Sequence, residues 1–491
     1  MQSKDTNQPL PTNINATWAK CRKRRGCIAI SDIMDYEIKK LINDALTEAY
    51  IRINNHDINK TIEGLIKQLR ELINNTNFND NNTNLQNIIT TNIEELISMI
   101  KDVENKWNHA YKNDVNSTLK ESLAGKNRVF VVKGRYGSLF LKIRGKLTSI
   151  EIEIKRNKSH SVVTQIYLRG LSTRTLIIPN MLNLSDNEFY DLRLGFRAGD
   201  GTIYEGRPAM KTRQLWQLVL WSLLYPGEVE VSIKSLGFTK KSVNITWFIY
   251  SKTHKETIKN KDIAFQELEK RISSRNMLTL ILSDGSIDLK KKNIKMSAGL
   301  SNYEKLSKAL TPLSNELKIK YQISVKDTGA GIIFWNSNAV ILARHIVNNL
   351  PNKLKKILNI LEEKLNLDKW RKLKALANVS IGRMHGSSQV EIYGIKFNVL
   401  LTEKTIQLRT WCGKKCNINE IIAILNKHNI NYKLRDTEKL PEIYIPWSEI
   451  KEHDDLLNEV IKWLKQTVNN NEKSHRIREL ANKWLNKIGI E

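Results

Sequence analysis

The feature that most constrains the fold of this chain is a pair of similar segments near its centre. Residues 192–203 read LRLGFRAGDGTI, and residues 278–287 read LTLILSDGSI. Each segment is an apolar run with small residues four positions apart, and each ends in Asp-Gly before a stretch typical of a β-strand. The matched positions, separated by 84 residues in every case, are Gly195 and Thr279, Gly199 and Ser283, Asp200 and Asp284, and Gly201 and Gly285. This repetition predicts two related helix–turn–strand elements.

The small residues predict that the two helices pack closely against each other. Ser185 followed by Glu188 has the pattern of a capping box, so the first helix is expected to begin there and to run toward Gly199. Glycine inside a helix costs ~1 kcal/mol relative to alanine. Two glycines at positions i and i+4 are explained if the backbone of another helix must approach the face of the helix on which they lie. The expected packing residues are Gly195, Gly199, Thr279 and Ser283.

Two aspartates follow these small residues, at the predicted C-terminal ends of the helices. A carboxylate there is disfavoured by the helix dipole by ~0.3–1 kcal/mol, and adjacent helices add repulsion between Asp200 and Asp284. A bound divalent cation offsets both effects, and Mg²⁺ in particular combines few carboxylates with water and phosphate ligands. We therefore predict that Asp200 and Asp284 hold a divalent cation, for which Mg²⁺ is well suited. The alternative is that each Asp-Gly is only a turn, with Gly201 and Gly285 as left-handed helix caps.

The hydrophobic periodicity after each motif predicts the same order of elements twice. In each half we expect α-β-β-α-β-β-α, which makes the fold class α+β and assigns the core to residues 181–353. The strands would form two antiparallel four-stranded sheets around the paired helices. A curved sheet with a basic solvent face is able to lie in a DNA groove.

At these residues the chain resembles the LAGLIDADG homing endonucleases, through GFRAGDG in the first half and LILSDG in the second. The resemblance implies Mg²⁺-dependent cleavage of double-stranded DNA, with Asp200 and Asp284 as metal ligands between the helices. It also implies a basic residue on a late strand beside the metals, for which Lys252 is the candidate. Two motifs in one chain imply a monomer with a pseudo-two-fold repeat. The segment GRPAMKTRQLWQLVLWSLLYPG is similar to an uncharacterised archaeal family of multicopy proteins.

The regions on either side of the core differ from it in pattern. Residues 1–125 have apolar residues at helical spacing and are predicted to form a basic helical region, whereas residues 126–180 alternate and are predicted to be strand-rich. Residues 354–491 are predicted to form a Lys-rich helical connector followed by an α+β domain. In that domain the segment EIYGIKFNVLL is predicted to be a strand.

The charge of the chain indicates a polyanionic partner. With 79 Lys and Arg against 51 Asp and Glu, the net charge is +28, and neutralised phosphates release counterions. We expect double-stranded DNA as the partner, with RNA as an open alternative. The basic clusters predicted to contact nucleic acid are Lys23, Arg24 and Arg25, together with Lys290, Lys291 and Lys292.

Composition also limits the compartment and the metals. Four cysteines in 491 residues are too few for a disulfide framework, so reduced thiols and a cytoplasmic location are expected. The four cysteines lack the usual zinc-ligand spacing, so zinc is not expected. The longest apolar run, residues 215–225, is too short to cross a bilayer, and no membrane association is predicted.

Together these features predict a site-specific, Mg²⁺-dependent DNA endonuclease of the mobile-element type. The alternative is a DNA- or RNA-binding regulator or splicing cofactor that has lost cleavage and keeps the same scaffold. A third interpretation is an interaction protein in which the two aspartates only cap helices.

Overall fold

The computed structural model of the protein describes residues 14–22, 26–31, 33–75, 83–134, 137–155, 161–326, 329–379, 389–411, 417–435, 441–470 and 475–489. The chain divides into two compact units, Met1–Asn378 and Val379–Glu491. Each unit combines helices with a β-sheet, so the predicted α+β class is confirmed. Within the described ranges, no helix has both the length and the apolar composition that a membrane span requires.

The N-terminal region contains strands before its helices. The strands are β1 (Ala16–Arg22) and β2 (Gly26–Ser31), and the helices are α1 (Tyr36–Asn55), α2 (Ile58–Asn75), α3 (Thr83–Lys106) and α4 (Lys112–Leu123), with a π-helical turn at Trp107–Tyr111. The start of the region thus differs from the helical prediction, because helical spacing of apolar residues begins only at α1. In the β1–β2 hairpin Cys21 lies opposite Cys27, and a disulfide joins them. The expectation of reduced cysteines is wrong for this pair, since the hairpin register brings the two sulfurs together.

The strand-rich segment and the two halves of the centre follow in chain order. The strand-rich segment contains β3 (Val129–Lys133), β4 (Leu139–Arg144), β5 (Thr148–Ile154), β6 (Val162–Leu168) and β7 (Thr173–Ile178). The first half contains α5 (Asp186–Ala198), β8 (Gly201–Tyr204), β9 (Arg207–Thr212), α6 (Leu215–Leu224), β10 (Gly227–Phe238), β11 (Val243–Ser251) and α7 (Lys261–Lys270). The second half contains α8 (Ser274–Asp284), β12 (Gly285–Asp288), β13 (Asn293–Ala298), α9 (Tyr303–Glu316), β14 (Tyr321–Lys326), β15 (Gly329–Trp335) and α10 (Asn336–Asn348).

The two halves have matching strand orders but belong to different sheets. The second half forms a four-stranded antiparallel sheet in the order β12-β13-β15-β14. The first half has the order β8-β9-β11-β10, and beyond β10 the sheet continues through β6, β5, β4, β3 and β1 to β2. With β7 also paired to β10, this sheet has eleven strands among the described residues. The separate four-stranded sheet predicted for the first half is therefore wrong.

The length of β10 explains this difference. β10 has 12 residues, and its outer edge pairs with β7 over residues 227–232 and with β6 over residues 235–238. One face of the extended sheet is covered, because α1 and α4 pack on β5 and alternate side chains such as Ile152 and Ile166 are fully buried. The other face carries half-exposed polar side chains, including Lys142 and Gln165.

Two helices complete the first unit. α11 (Asn352–Leu365) and α12 (Asp368–Ala377) are separated at Asn366, which adopts the left-handed conformation with φ 55°. α12 packs against α8, α10 and β12. The predicted connector therefore belongs to the same compact unit as the central motifs.

The second unit is built on one antiparallel sheet. Its elements are β16 (Gln389–Ile392), β17 (Ile395–Leu401), β18 (Ile406–Trp411), α13 (Ile418–Lys427), β19 (Lys433–Arg435), β20 (Glu442–Pro446), α14 (Trp447–Ile450), α15 (Asp454–Asn469) and α16 (His475–Ile488). The strand order in its described residues is β16-β17-β18-β20-β19. The single strand predicted for EIYGIKFNVLL is wrong, because Tyr393 and Gly394 have φ values of 51° and 76° and form the turn of a hairpin.

Candidate functional site

The central helices α5 and α8 begin with equivalent caps. The Glu188 backbone N–H donates to Ser185 Oγ at 3.4 Å, and Ser185 N–H donates to Glu188 Oε2 at 3.0 Å, which confirms the predicted capping box. Ser273 and Asn276 form the corresponding box at the start of α8. These reciprocal bonds satisfy donors that a helix N-terminus leaves unpaired, so each helix start is set locally by its own sequence.

The two helices pack along their small residues. A β-carbon at Gly195 would collide with the Thr279 hydroxyl and with the backbone carbonyl oxygen of Asn276. A β-carbon at Gly199 would lie 2.6 Å from Cβ of Ser283 and closer still to its hydroxyl. The seam between α5 and α8 therefore has no room for a methyl group on the α5 side.

Ion pairs tie the helices together at their N-terminal ends. Glu188 pairs with Arg275 of α8, and Asp191 Oδ1 lies 2.6 Å from Arg271 Nη2. The Ser273 hydroxyl, which caps α8, also donates to Asp191 Oδ2 at 3.0 Å. Since both ends of the seam are fixed, the C-terminal ends of α5 and α8 emerge side by side.

Both helices turn directly into strands at Gly201 and Gly285. A β-carbon at Gly201 would lie 2.9 Å from Cα of Arg197, and one at Gly285 would lie 2.6 Å from Cα of Ile281. Gly285 has φ −88° and ψ 165°, so it is extended and not the left-handed cap of the simple-turn alternative. Glycine is required at these junctions by the close approach of the preceding helical turn.

A chain of hydrogen bonds orients Asp200. The buried Gln217 of α6 donates from Nε2 to Asp200 Oδ2 at 2.6 Å. Thr212 donates from its hydroxyl to Gln217 Oε1 at 2.6 Å, and Gln214 N–H donates to Thr212 Oγ1 at 3.0 Å. The amide of Gln217 is thus fixed in one orientation, with its NH₂ group toward the carboxylate.

The carboxylate of Asp284 is destabilised by its surroundings. Burial is the largest cause and raises the pKa of Asp284, and the negative charge of Asp200 raises this pKa further. The ammonium groups of Lys261 and Lys369 act in the opposite direction, and Lys261 Nζ lies 3.9 Å from Asp284 Oδ2. The two acids are therefore close enough to interact electrostatically.

Lys369 of α12 brings a cation to the end of α8. Its Nζ donates to the carbonyl oxygens of Leu282 and Ser283, both at 2.7 Å, which are among the carbonyls that a helix C-terminus leaves unpaired. Burial lowers the pKa of Lys369, whereas Asp200 and Asp284 raise it. Lys369 therefore interacts electrostatically with both acids.

Asp200 and Asp284 are the residues that could hold a metal ion. Mg²⁺ is usually held by one or two carboxylates and completes its shell with water and phosphate oxygens. Asp200 and Asp284 supply that number, and within the described ranges no cluster of three or more His, Cys, Asp or Glu side chains is arranged to hold a metal. The repulsion that raises the pKa of Asp284 is also what a divalent cation would relieve.

The remaining predicted residues lie at the end of a strand, in a turn, or outside the described residues. Lys252 follows β11, where its Nζ is 3.8 Å from Glu228 Oε2 and 3.4 Å from Thr175 Oγ1, so its partners are on β10 and β7. The exposed residues Lys290, Lys291 and Lys292 form the turn between β12 and β13. Lys23, Arg24 and Arg25, like Cys412 and Cys416, lie outside the described residues.

Three residues of the site were missed by the sequence analysis: Gln217, Lys261 and Lys369. Gln217 had a detectable signal, because it is a polar residue inside the apolar run of α6. Lys261 and Lys369 resemble the many other lysines of this chain, and only the packing of α7 and α12 brings them to the acids.

Comparison with known proteins gives partial structural likenesses. No protein-family model matches the chain, and no curated protein matches it in sequence. It is similar to the homing endonuclease I-WcaI bound to its DNA recognition sequence, with 14% identity and a TM-score of 0.26 over 35% of this chain and 86% of that one. Full-length DUF199/WhiA from Thermatoga maritima has 16% identity and a TM-score of 0.24 over 38% and 64% of the two chains. The N-terminal LAGLIDADG domain of DUF199/WhiA has 14% identity and a TM-score of 0.24 over 36% and 91%.

Proposed function

We propose that the protein binds double-stranded DNA and cleaves it by Mg²⁺-dependent phosphodiester hydrolysis at Asp200 and Asp284. The observation that carries this proposal is the pairing of these two carboxylates at the matched ends of two closely packed helices, where burial and mutual repulsion raise the pKa of Asp284. Ionised acids in such a place are costly to the fold, and perturbed groups of this kind cluster at functional sites.

Asp200 and Asp284 would hold the metal, which when bound activates water and neutralises charge on the phosphate. Gln217 keeps Asp200 in one orientation through its hydrogen bond. Lys261 and Lys369 add positive charge beside the acids, where a transferring phosphate would bring negative charge.

The open faces of the two sheets are the proposed DNA-binding surface. Lys211 and Lys234 lie on the open face of the eleven-stranded sheet. On the four-stranded sheet the side chain of Lys295 lies over Gly331, where a β-carbon at Gly331 would be 2.8 Å from Lys295 Cε. The net charge of +28 favours this partner, because each phosphate contact releases counterions.

A second candidate function is binding of DNA or RNA without cleavage. The specific observation in its favour is Lys369, whose ammonium group neutralises part of the charge of both acids in the absence of any metal. If Lys369 balances the charge of the two acids, the site can be stable without binding a metal and can serve only to hold the helices together.

A cleavage selection separates the two functions. The wild-type protein, Asp200→Asn, Asp284→Asn and the control Asp44→Asn, which changes an exposed acid of α1, are incubated with a randomised duplex library in Mg²⁺ or Ca²⁺. The proposal expects cleavage in Mg²⁺ by the wild type and the control only, with duplex binding by all four. Salt-sensitive binding without cleavage by the wild type would establish the second function instead, and no binding at low salt would contradict both.

A further inference from the structure

A cavity on the open face of the eleven-stranded sheet is lined by polar side chains, one of which, Thr212, also belongs to the hydrogen-bond chain that orients Asp200. Its volume is about 240 Å³, and its walls come from β6, β9, β10 and β11, where the N-terminal strands join the first half of the centre. The lining side chains that matter here are Tyr167, Lys211, Arg213, Lys234, Ser235 and Thr246. Half of these six carry a positive charge.

Two acids lie near the cavity: Glu151, which forms a hydrogen bond with Tyr167 and pairs with Lys142, and Glu230. Lys211 and Arg213 are exposed, and within the described part of the chain neither takes part in a salt bridge. The Arg213 guanidinium crosses the sheet over Gly237, where a β-carbon would lie 3.9 Å from Arg213 Cζ. The guanidinium therefore lies against the backbone of the sheet.

Lys234 is held over the sheet beside these two residues. Its Nζ lies 5.1 Å from the centre of the Phe248 ring, and it is half-buried. Burial lowers the pKa of Lys234, and the positive charge of Lys211 lowers it further, while Glu230 acts weakly in the opposite direction. Glu230 also forms a hydrogen bond with Tyr250, so it does not serve Lys234 alone.

Two hydroxyl groups border the cavity, and no described residue forms a hydrogen bond with either of them. Ser235 and Thr246 are register neighbours on β10 and β11, and Ser235 is also the register neighbour of Tyr167 on β6. The oxygens Oγ of Ser235 and Oγ1 of Thr246 are buried without a partner, and Ser235 is 1% exposed. A buried hydroxyl left unpaired is energetically costly, and an anionic oxygen would supply the acceptor that both lack.

We propose that this cavity binds a phosphate group, held by the Arg213 guanidinium and the Lys211 and Lys234 ammonium groups above the Ser235 and Thr246 hydroxyls. Three cations with adjacent hydroxyl donors match the several oxygens of a phosphate group, and the match in charge is closest for a phosphate monoester, at about −1.5 to −2. The phosphate belongs either to a free phosphate compound or to the backbone of bound nucleic acid, and in the second case the inference rests on the proposed function.

The first arm of the test uses inorganic phosphate at low ionic strength, with binding measured by calorimetry. The proteins are the wild type, Lys234→Met, Arg213→Met and the control Lys60→Met, which removes an exposed lysine of α2 outside the cavity. We expect the control to bind like the wild type and the two cavity variants to bind at least about tenfold more weakly, the loss of ~1.4 kcal/mol that one charge-assisted hydrogen bond supplies. Lys234→Arg keeps the charge and should retain binding. Equal binding by all variants, or none by the wild type, would overturn the proposal.

The second arm identifies the source of the phosphate by duplex binding at several salt concentrations. If the cavity takes a backbone phosphate, Lys234→Met should reduce the slope of log affinity against log salt by about one, and Lys60→Met should not. If Lys234→Met loses inorganic phosphate but leaves duplex binding unchanged, the ligand is a free phosphate compound. A wild type that binds no duplex contradicts the proposed function, whereas the first arm still tests whether the cavity binds phosphate.

Discussion

Replacing Gly195 by alanine tests the seam between α5 and α8 directly. The new methyl group would meet two atoms of α8, the Thr279 hydroxyl and the Asn276 carbonyl oxygen. The hydroxyl belongs to a side chain and can rotate, but the carbonyl is part of the helix backbone and cannot move without shifting α8. Overpacking of this kind costs about 1–3 kcal/mol or more, and alanine returns only ~1 kcal/mol of helix propensity. The net loss is up to about 2 kcal/mol, and because both contacts would be far closer than van der Waals contact we expect Gly195→Ala to lower the free energy of unfolding by an amount near that upper value.

Gly64 provides a matched control. It lies inside α2, is exposed, and has no atom within 4 Å of the position a β-carbon would take. Gly64→Ala should therefore gain helix propensity without a collision and stabilise the protein by ~0.5–1 kcal/mol. The same chemical change thus has opposite expected signs at the two sites.

The assay is urea unfolding followed by tryptophan fluorescence and far-UV circular dichroism, with the transition of the first unit compared between variants. The double variant Gly195→Ala/Thr279→Ala removes one of the two collisions, so it should recover part of the loss and show a coupling energy of about 0.5–2 kcal/mol. If Gly195→Ala stabilises the protein as Gly64→Ala does, the helices do not pack at this distance and the pairing of the two acids loses its structural basis.

Three further predictions concern the acids and the lysines. The pKa of Asp284 is raised in the folded state, so this residue destabilises the fold once the pH rises above the ordinary carboxyl pKa, and the loss is complete above the raised value. Asp284→Asn should therefore be more stable than the wild type in thermal unfolding at pH 7, and the difference in stability should vanish toward pH ~4. A difference that does not change with pH would show that the ionisation of Asp284 is not its cause. Lys369→Met removes a cation that lowers the pKa of Asp284, so the carboxyl resonance of Asp284 should titrate at higher pH in NMR. An unchanged titration midpoint would mean that Lys369 is too far from Asp284 to affect its pKa. Lys252→Ala removes a half-exposed ion pair with Glu228 and a hydrogen bond with Thr175, and it should leave duplex binding and any cleavage unchanged, whereas a loss of cleavage would assign Lys252 to the site.

Local signals were sufficient for several elements of the site. The Ser185–Glu188 pair specified the start of α5, because a capping box involves only residues three positions apart. The apolar spacing around Leu192 and Leu278 specified two helices, and the Asp-Gly pairs located their ends. Where a local signal was overlooked, the prediction failed, as at Tyr393 and Gly394, which turn a supposed single strand into a hairpin.

The sequence by itself determined that two helices with small residues at matched positions each deliver one aspartate to a helix–strand junction. Helix faces and caps depend on neighbours within one or two turns, so they can be identified from spacing alone. Only the tertiary structure decided that the strands of the first half continue into an eleven-stranded sheet, because backbone edges pair without a side-chain code for their partner. The tertiary structure also decided that Lys369, 85 residues beyond Asp284, reaches the acids, since the packing of α12 against α8 is a long-range contact that no local pattern specifies.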